Sequence, residues 1–504
     1  MSGGFRSRSQ GRREEPRRGQ SSEQPQAPGA PKTPKTPETP KTPKTPKTQR
    51  RYSVKGRPAS IGDASREAAF EVVLRVGRDG AFANLTLPGL LKERRVKGRD
   101  AAFATELTYG TLRSLGVLDA VIAENSSRPL DQIAPEVLAA LRLGAYQLLY
   151  TRVEDHAAVD TSVRLVEAAG QERAKGFANG VLRSISRTPT EAWIERLAPP
   201  SELGALAFRH AHPEWIAASF AAALGERAEA ELGAALEADS ARPIVHLVAR
   251  PGEITAQELA LTTGGEEGAY SPYAVYLQEG DPGQLQEVRE GLAGVQDEGS
   301  QLIARALTEV PVEEDQGRWL DLCAGPGGKA ALLGSLAAID GAVVDAVELA
   351  PHRAELIRKA VGELPVRVKV ADGRDPGFEE ASFDRVLVDA PCSGLGALRR
   401  RPEARWVKRE EDIAELNQLQ AELLASAVRL ARPGGVVVYS TCSPDVRETR
   451  GIVDKQTALG GVEELDAREY IAGMADVGEG PSVQMWPHRH GTDAMFFAVL
   501  RKLP

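Results

Sequence analysis

The stretch LDLCAGPGGK, residues 320–329, decides the fold of the C-terminal part of the chain. An apolar run typical of a buried strand leads into a glycine-rich turn, and a helix-like segment follows. Glycines at such a turn let a ligand approach the backbone closely. The stretch is not a Walker phosphate loop, because Ala330 stands where that motif has Ser or Thr, and it lacks the GxGxxG spacing of dinucleotide enzymes.

Strand–helix alternation continues from residue 301 to the C-terminus. Short Val/Leu-rich runs, each as long as a buried parallel strand, alternate with amphipathic segments. This pattern predicts an α/β domain with a parallel, Rossmann-like sheet, in which ligands bind at the carboxyl ends of the strands. We expect strands at 318–323, 342–349, 366–370, 385–388 and 436–440 and a helix at 410–430.

Two acidic residues after the next strands indicate a nucleoside cofactor. Glu348 ends the second predicted strand, where a carboxylate can bond ribose hydroxyls. Asp372 follows the third strand and is a candidate for binding an adenine amino group, although a helix cap explains it equally well. The glycine-rich turn and Glu348 together therefore predict a nucleoside site, which the turn alone would not.

Two of the three cysteines follow neighbouring predicted strands. Cys392 lies in VDAPCSG after the fourth strand, and Cys442 lies in YSTCS after the fifth. A lone cysteine is most often a small buried hydrophobe, but two at adjacent strand ends indicate nucleophilic thiols. Spacing alone leaves the two thiols equivalent.

Helical periodicity dominates the residues before the sheet. Apolar residues recur at three- and four-residue steps in residues 61–190, which predicts an all-α domain. A helical connector is expected at 191–240. Short β-like and helix-like runs alternate at 241–300 and predict a small α/β subdomain, so the Rossmann-like domain occupies 301–504.

Charge is distributed unevenly along the chain. The net charge of −8 argues against a nucleic-acid-binding protein when the chain is taken whole, but residues 1–60 carry +11 and the remainder carries −19. Residues 31–48 repeat PKT, interrupted once by PET, and proline at every third position excludes helix and sheet. We expect a disordered basic tail that either has no specific role or serves as an electrostatic arm for RNA.

Cysteine content and hydropathy indicate the cellular compartment in which the protein works. Three cysteines exclude a disulfide scaffold and fit a reducing compartment. No apolar run approaches the roughly 18 residues of a membrane helix, and the N-terminus has no secretory signal. His488 and His490 lack further ligands at metal spacing. We therefore expect a cytoplasmic protein without a metal site.

Several motifs together resemble the RNA cytosine-5 methyltransferases, in particular the RsmB/Sun/Fmu family that acts on bacterial 16S ribosomal RNA. The motifs are LDLCAGPGGK, VEL, ADGRD, VDAPCSGLGALRRRPEARW and VVYSTCSP. Weaker matches to a NusB-like domain lie at 109–113, 141–148, 156–159 and 177–183. Two departures are Gly325, where the family usually has Ala, and TDAMFF at 492–497 in place of TDGFF.

The resemblance implies S-adenosylmethionine as the cofactor and gives each motif residue a role. Cys442 is then the nucleophile that adds to C6 of cytosine, Cys392 assists product release, and Asp389 holds or protonates the ring nitrogen. The resemblance also implies an all-α NusB-like RNA-binding domain at residues 61–190. Cofactor contacts are implied for Cys323, Ala324, Gly325, Pro326, Gly327, Gly328, Lys329, Glu348, Asp372 and Asp389.

A run of arginines follows the fourth predicted strand. Such runs are usually solvated faces, but beside two candidate thiols this one indicates contacts with an RNA backbone. Trp406 either stacks on a base or packs in the protein, and packing is favoured. The candidate RNA-binding residues are Arg399, Arg400, Arg401 and Arg405.

Together these features predict a monomeric methyltransferase that modifies carbon 5 of a cytosine in 16S ribosomal RNA. The target must be unpaired or flipped out, because a stacked cytosine does not expose C6. One alternative is the same chemistry on transfer RNA, which the NusB-like domain disfavours. The other is a non-catalytic RNA-binding ribosome-assembly factor, which the intact thiols disfavour.

Overall fold

Seven helices form the first domain of the computed structural model, which describes residues 60–471 and 473–504. The predicted basic tail therefore lies outside the described residues, apart from Ser60. Asp63 caps the first helix by accepting a hydrogen bond from the Arg66 backbone N–H, and Gly80 ends it in the left-handed conformation. The helices are α1 (Ala64–Asp79), α2 (Ala83–Arg94), α3 (Gly98–Arg113), α4 (Leu115–Asn125), α5 (Pro135–Tyr150), α6 (Asp155–Ala168) and α7 (Lys175–Ile185).

Aliphatic side chains at helical spacing build the core of this domain. Val72, Leu107, Leu118, Leu141 and Leu182, from five different helices, are fully buried in one cluster. Burial of each such side chain stabilises the fold by about 1.5–3 kcal/mol. The predicted all-α class of the N-terminal part is confirmed.

Four connecting helices follow the first domain, and the two that carry Phe220 and Leu236 pack against the C-terminal domain. Phe220 and Leu236 share an apolar cluster with Leu395 and Trp486. These two helices are thus joined to the loop that follows the fourth strand of the large sheet. The four connecting helices are α8 (Thr190–Leu197), α9 (Glu202–Arg209), α10 (Glu214–Leu224) and α11 (Ala228–Ser240).

A small antiparallel sheet follows the connecting helices. Its elements are β1 (Val245–Ala249), α12 (Ala256–Thr263), β2 (Glu266–Glu267), β3 (Ala274–Leu277), α13 (Gln286–Arg289) and β4 (Ala293–Val295). The strand order is β2-β3-β1-β4. Thr255 and Glu258 cap α12 reciprocally. Residues 285–292, within the region predicted to be a small α/β subdomain, contain one short helix of four residues, α13, and β4 then forms an edge of the sheet.

The C-terminal domain is an eight-stranded sheet with flanking helices. Its strand order is β10-β12-β9-β8-β5-β6-β7, with β11 beside β12. The elements in chain order are α14 (Glu298–Glu309), β5 (Arg318–Asp321), α15 (Gly328–Asp340), β6 (Val343–Glu348), α16 (Pro351–Val361), β7 (Val366–Val370), β8 (Phe383–Asp389), α17 (Asp412–Leu430), β9 (Ala431–Thr441), α18 (Arg450–Ala458), β10 (Val462–Leu465), β11 (Val483–Gln484), α19 (Pro487–His490) and β12 (Phe496–Lys502).

The predicted Rossmann-like sheet is confirmed. Strands β5 to β9 are parallel, and β10, β11 and β12 pair antiparallel at one end of the sheet. Asp321 pairs with Leu387, and Asp389 pairs with Ser440, so three neighbouring strands end close together. Residues that follow these strands share one edge, which is where such sheets bind ligands.

Candidate active site

The glycine-rich turn between β5 and α15 leaves no room for side chains at two positions. A Cβ at Gly325 would lie 2.1 Å from Glu348 Oε2, and Gly327 has a φ of 115° with Ile357 Cα 3.0 Å from the place of a Cβ. Glycine is therefore required at both positions, because neighbouring protein atoms occupy the space that a side chain would need. Gly325, the departure from the family's Ala, leaves space that the Glu348 carboxylate occupies.

Asp321 at the end of β5 is a site residue that the sequence patterns do not single out. It is fully buried, and neither carboxylate oxygen has a hydrogen-bond partner of normal geometry in the described chain. Burial, followed by the charge of Asp389, raises the pKa of Asp321 to about 7. Unpartnered buried oxygens are costly, and a cationic ligand group would satisfy them. The only signal in the sequence is one acid in an apolar strand.

The two acids predicted to bind the nucleoside follow β6 and β7. Glu348 is nearly buried; its Oε1 accepts a hydrogen bond from the Ala350 backbone N–H at 2.9 Å, and Oε2 lies 3.5 Å from Arg353 Nε. Asp372 is more exposed and pairs with Arg374 at 2.7 Å. The hydrogen bonds from Arg374 hold the pKa of Asp372 below its usual range. Both carboxylates thus lie at the ligand-binding edge, each with a partner inside the chain.

An ion pair joins the cofactor turn to the strand before Cys392. Lys329 Nζ donates to Asp389 Oδ2 at 2.8 Å, and the Ser440 hydroxyl donates to Asp389 Oδ1 at 3.0 Å. Burial lowers the pKa of Lys329, but its pairing with Asp389 outweighs that effect, and the pKa is raised overall. Lys329 therefore stays cationic and fixes Asp389 between the turn and the thiols.

The structure brings the two predicted thiols into contact. Cys392 Sγ lies 3.5 Å from Cys442 Sγ, both are free, and both are partly buried. The hydrogen bond from Cys392, with the positive charges of Arg401 and Lys329, lowers the pKa of Cys442 against burial and Asp389. The same hydrogen bond and burial raise the pKa of Cys392 well above that of an ordinary thiol. The two thiols, which spacing alone leaves equivalent, thus differ in their charged neighbours: Arg401 and Lys329 favour a thiolate at Cys442, whereas Glu448 disfavours one at Cys392.

The loops that carry the thiols are fastened to each other. The Ser393 and Ser443 hydroxyls, each directly after a cysteine, lie 3.1 Å apart. The Gly396 backbone N–H donates to the Cys442 carbonyl at 2.9 Å. A Cβ at Gly396 would lie 2.0 Å from the Ala494 carbonyl oxygen, so only glycine allows this packing. The distance between the two sulfurs is therefore held by the backbone.

The arginine run corrects the prediction of an RNA-binding face. Arg399 is nearly buried and donates to Asp493 at 2.8 Å; Arg400 pairs with both Asp493 (2.8 Å) and Asp297 (2.7 Å). These guanidinium groups bridge the loop after β8 to the small sheet and to the segment before β12. Their positive charge is already paired with carboxylates inside the protein, so Arg399 and Arg400 are structural.

Arg405 is likewise misassigned as an RNA contact. It is fully buried, lies 3.2 Å from Asp239 in α11, and donates to the Ala211 carbonyl at 2.9 Å. Burial lowers its pKa to about 10. Arg401 alone of the four is exposed, and a Cβ on Gly394 would lie 3.8 Å from its guanidinium and 4.0 Å from Cys442 Sγ.

Trp406 packs in the protein, as favoured from the sequence. Its ring fills the space beside Gly116, where a Cβ would lie 2.4 Å from the ring, and its Nε1 donates to the Leu112 carbonyl at 2.9 Å. Glu403, three residues earlier, accepts a hydrogen bond from the Ala83 backbone N–H at 3.1 Å. The loop after Cys392 thus joins the N-terminal helical domain to the thiols.

Residues 60–471 and 473–504 hold no cluster of three or more side chains able to bind a metal ion. His488 instead lies 2.9 Å from Glu231, and His490 lies 2.8 Å from the Ala475 carbonyl. Within the same described ranges, no helix has the length and apolar character needed to cross a membrane.

A Rossmann-like sheet with a glycine-rich turn after β5, an acid after β6 and a buried carboxylate beside the turn defines an S-adenosylmethionine-dependent methyltransferase. The donors and acceptors fit that cofactor: Asp321 suits its ammonium group and Glu348 its ribose hydroxyls. Two thiols follow the adjoining strands.

Comparison with known proteins identifies the family. A family model described as 16S rRNA methyltransferase RsmB/F matches residues 306–501, and the NusB family model matches residues 63–187. A Mycobacterium tuberculosis protein named as a methyltransferase is 56% identical over 449 residues, covering 88% of this chain and 97% of that protein. Ribosomal RNA small subunit methyltransferase B of Klebsiella pneumoniae is 33% identical over 449 residues, covering 87% and 98%.

The chain belongs to the RsmB/F methyltransferase family, with a NusB-like domain before the methyltransferase domain. Among solved structures, the crystal structure of PH0851 superimposes with a TM-score of 0.74 at 23% identity, covering 88% of this chain and 99% of that one. The predicted family, fold class and cofactor are therefore confirmed.

Proposed function

We propose that this methyltransferase modifies carbon 5 of a cytosine in 16S ribosomal RNA through a covalent adduct with Cys442. The observation that carries the proposal is the contact between Cys442 and Cys392, 3.5 Å apart at the ends of two strands next to the cofactor turn. A ring carbon such as C5 of cytosine is a poor nucleophile until a group adds at C6. A thiol whose pKa is lowered supplies that group.

Cys442, Cys392 and Asp389 have different roles in the proposed reaction. S-adenosylmethionine supplies an electrophilic methyl group when it is bound. Cys442 bonds to C6 and makes C5 nucleophilic; after methylation the C5 proton leaves, the C6–S bond breaks and Cys442 returns as a thiolate. Cys392 assists this elimination, in which the C5 proton must pass to a base. Asp389, held by Lys329 and Ser440, bonds the polar edge of the base.

The ribosomal substrate is supported by the relatives and by the domain arrangement. The Klebsiella pneumoniae relative is named as acting on small-subunit ribosomal RNA. The NusB-like domain is proposed to bind RNA, and its α3 and α4 contact Trp406 in the loop after Cys392. Arg401, exposed beside the thiols, is proposed to contact the RNA backbone, since phosphate contacts position a substrate.

Trapping with 5-fluorocytosine tests the covalent step. Fluorine at C5 cannot leave as the proton does, so the adduct persists through denaturing electrophoresis. We expect wild-type protein, small-subunit RNA containing 5-fluorocytosine and cofactor to give a covalent complex, and Cys442→Ala to give none. Cys392→Ala should accumulate the adduct on ordinary RNA.

The same experiment contains the result that would contradict the proposal. Wild-type protein that binds RNA and cofactor but forms no adduct, with both thiols reduced, would exclude covalent catalysis and favour a non-catalytic assembly factor. If transfer RNA forms the covalent complex and ribosomal RNA does not, the proposed covalent mechanism stands but the proposed ribosomal RNA substrate is wrong.

A further inference from the structure

A fully buried carboxylate lies against the loop of Cys392. Glu448, between β9 and α18, is fully buried, and its side-chain partners in the described chain are neutral donors. The Ser393 backbone N–H donates to Oε1 at 2.8 Å, the Ser393 hydroxyl donates to Oε2, and Gln420 Nε2 donates to Oε1 at 3.1 Å. Three donors stabilise the ionised carboxylate without a cation to neutralise it.

These hydrogen bonds hold both neighbours of Cys392. Ser393 follows the cysteine and Pro391 precedes it, and Gln420 Nε2 also donates to the Pro391 carbonyl at 2.9 Å. The Tyr439 hydroxyl donates to the Glu448 carbonyl at 2.8 Å and fastens the carboxylate's own backbone to β9. The negative charge of Glu448 is thus fixed in relation to Cys392, with no freedom to turn towards solvent.

The charged groups around the two thiols differ in sign. Cys442 has Lys329 and Arg401 among its neighbours, with Asp389 opposing them. Among the charges that act most strongly on Cys392 are two negative groups, Glu448 and Asp389. Tyr439 also faces Cys392, and its pKa is raised far enough by burial that it stays neutral. Glu448 is hydrogen-bonded to the residue that follows Cys392, so its carboxylate lies on the Cys392 side of the thiol pair.

We propose that Glu448 is a positioning residue that keeps the shared proton of the thiol pair on Cys392 and so leaves Cys442 as the thiolate. A fixed negative charge beside Cys392 disfavours a second negative charge there, whereas the cations beside Cys442 favour one. The inference rests on the proposed roles of the two thiols, but it concerns their ionisation, which can be measured without any methylation.

The test measures the pH at which Cys392 becomes reactive. Brief alkylation with iodoacetamide across pH 6–11, followed by peptide mass spectrometry, gives the midpoint for each cysteine, because only the thiolate reacts. Full-length Cys442→Ser protein isolates Cys392. In that protein we expect Cys392 to react only above the range of an ordinary thiol, and Glu448→Gln to lower its midpoint by about one pH unit.

Two control variants separate charge from structure. Ser393→Ala removes a hydrogen bond from Glu448 but keeps the charge, so the Cys392 midpoint should stay high. Glu415→Gln removes an exposed carboxylate from α17 and should leave the midpoint unchanged. Circular dichroism of every variant establishes that the fold is intact.

An unchanged Cys392 midpoint in folded Glu448→Gln protein would overturn the proposal, as would an equal shift in Ser393→Ala. If Glu448→Gln does not fold, the Cys442→Ser protein alone decides: a Cys392 midpoint at or below that of an ordinary thiol contradicts the proposal. Covalent trapping on RNA remains a separate readout, so failure of this inference and failure of the proposed function are distinguishable.

Discussion

Asp321 and Glu448 are buried carboxylates with different surroundings. Three donors bind Glu448, whereas the oxygens of Asp321 have no partner of normal geometry in the described chain. The first arrangement stabilises a charge that acts on a neighbour. The second leaves a group ready to accept a cationic ligand, at a cost to the protein without ligand.

The raised pKa of Asp321 predicts how stability depends on pH. Burial raises this pKa to about 7, from about 4 in an unfolded chain. Between these values the folded protein holds a proton that the unfolded chain has released, so Asp321 makes the cofactor-free protein less stable as pH rises from about 4 to about 7. Asp321→Asn should raise the free energy of unfolding by about 1–3 kcal/mol at pH 8, and by less at pH 5.

Urea unfolding at both pH values measures this difference. Asp340→Asn, at an exposed carboxylate ending α15, is the matched control and should change stability little at either pH. Equal or opposite changes for Asp321→Asn at the two pH values would show that Asp321 carries no raised pKa. Cofactor affinity of the same variant should fall, because an amide has no negative charge to pair with the ammonium group of the cofactor.

At the scale of elements, the sequence predicts strands and strand ends better than loops. The predicted and observed strands agree within two residues at each end, except that β9 begins five residues before its predicted start; buried parallel strands are short apolar runs bounded by turns. Cys392 and Cys442 were predictable as neighbours since their strands are adjacent. The partners of Arg399 and Arg405 were not, because they come from segments over 90 residues away that only the folded chain brings near.

Arg401, in the loop between β8 and α17, is the exposed member of the four candidate RNA-binding arginines. Arg401→Ala should weaken RNA binding several-fold and reduce the slope of log affinity against log salt by about one, as loss of one phosphate contact does. Arg358→Ala, in the last turn of α16 and away from the ligand-binding edge, should change neither. Filter binding at several salt concentrations measures both, and equal slopes for Arg401→Ala and wild type would remove Arg401 from the interface.

At the scale of the whole molecule, one loop joins the two functional parts. The segment after Cys392 supplies Trp406 to the NusB-like domain and Arg405 to the connecting helices. The NusB-like domain, which we propose binds RNA, is thereby in contact with the loop that carries Cys392. Sequence patterns indicated both domains but not this contact. Gly116 and Trp406 are far apart in the chain, and neither residue type indicates by itself which residue it packs against.

Trp406→Ala tests this connection. Removing a partly buried Trp should lower the free energy of unfolding by about 2–4 kcal/mol. Amide hydrogen exchange should become faster both in α3 and α4 and in the loop after Cys392. Val407→Ala, at an exposed neighbour, is the control and should leave exchange unchanged. Faster exchange confined to one side would show that the loop does not couple the two domains.

The most direct measurement of the central claim is bisulfite mapping of 16S ribosomal RNA from a strain that lacks this protein. The account predicts that one cytosine loses its 5-methyl group, that wild-type protein restores it and that Cys442→Ala protein does not. Retention of every 5-methylcytosine in 16S ribosomal RNA in the deletion strain, or restoration by the Cys442→Ala protein, would contradict the account.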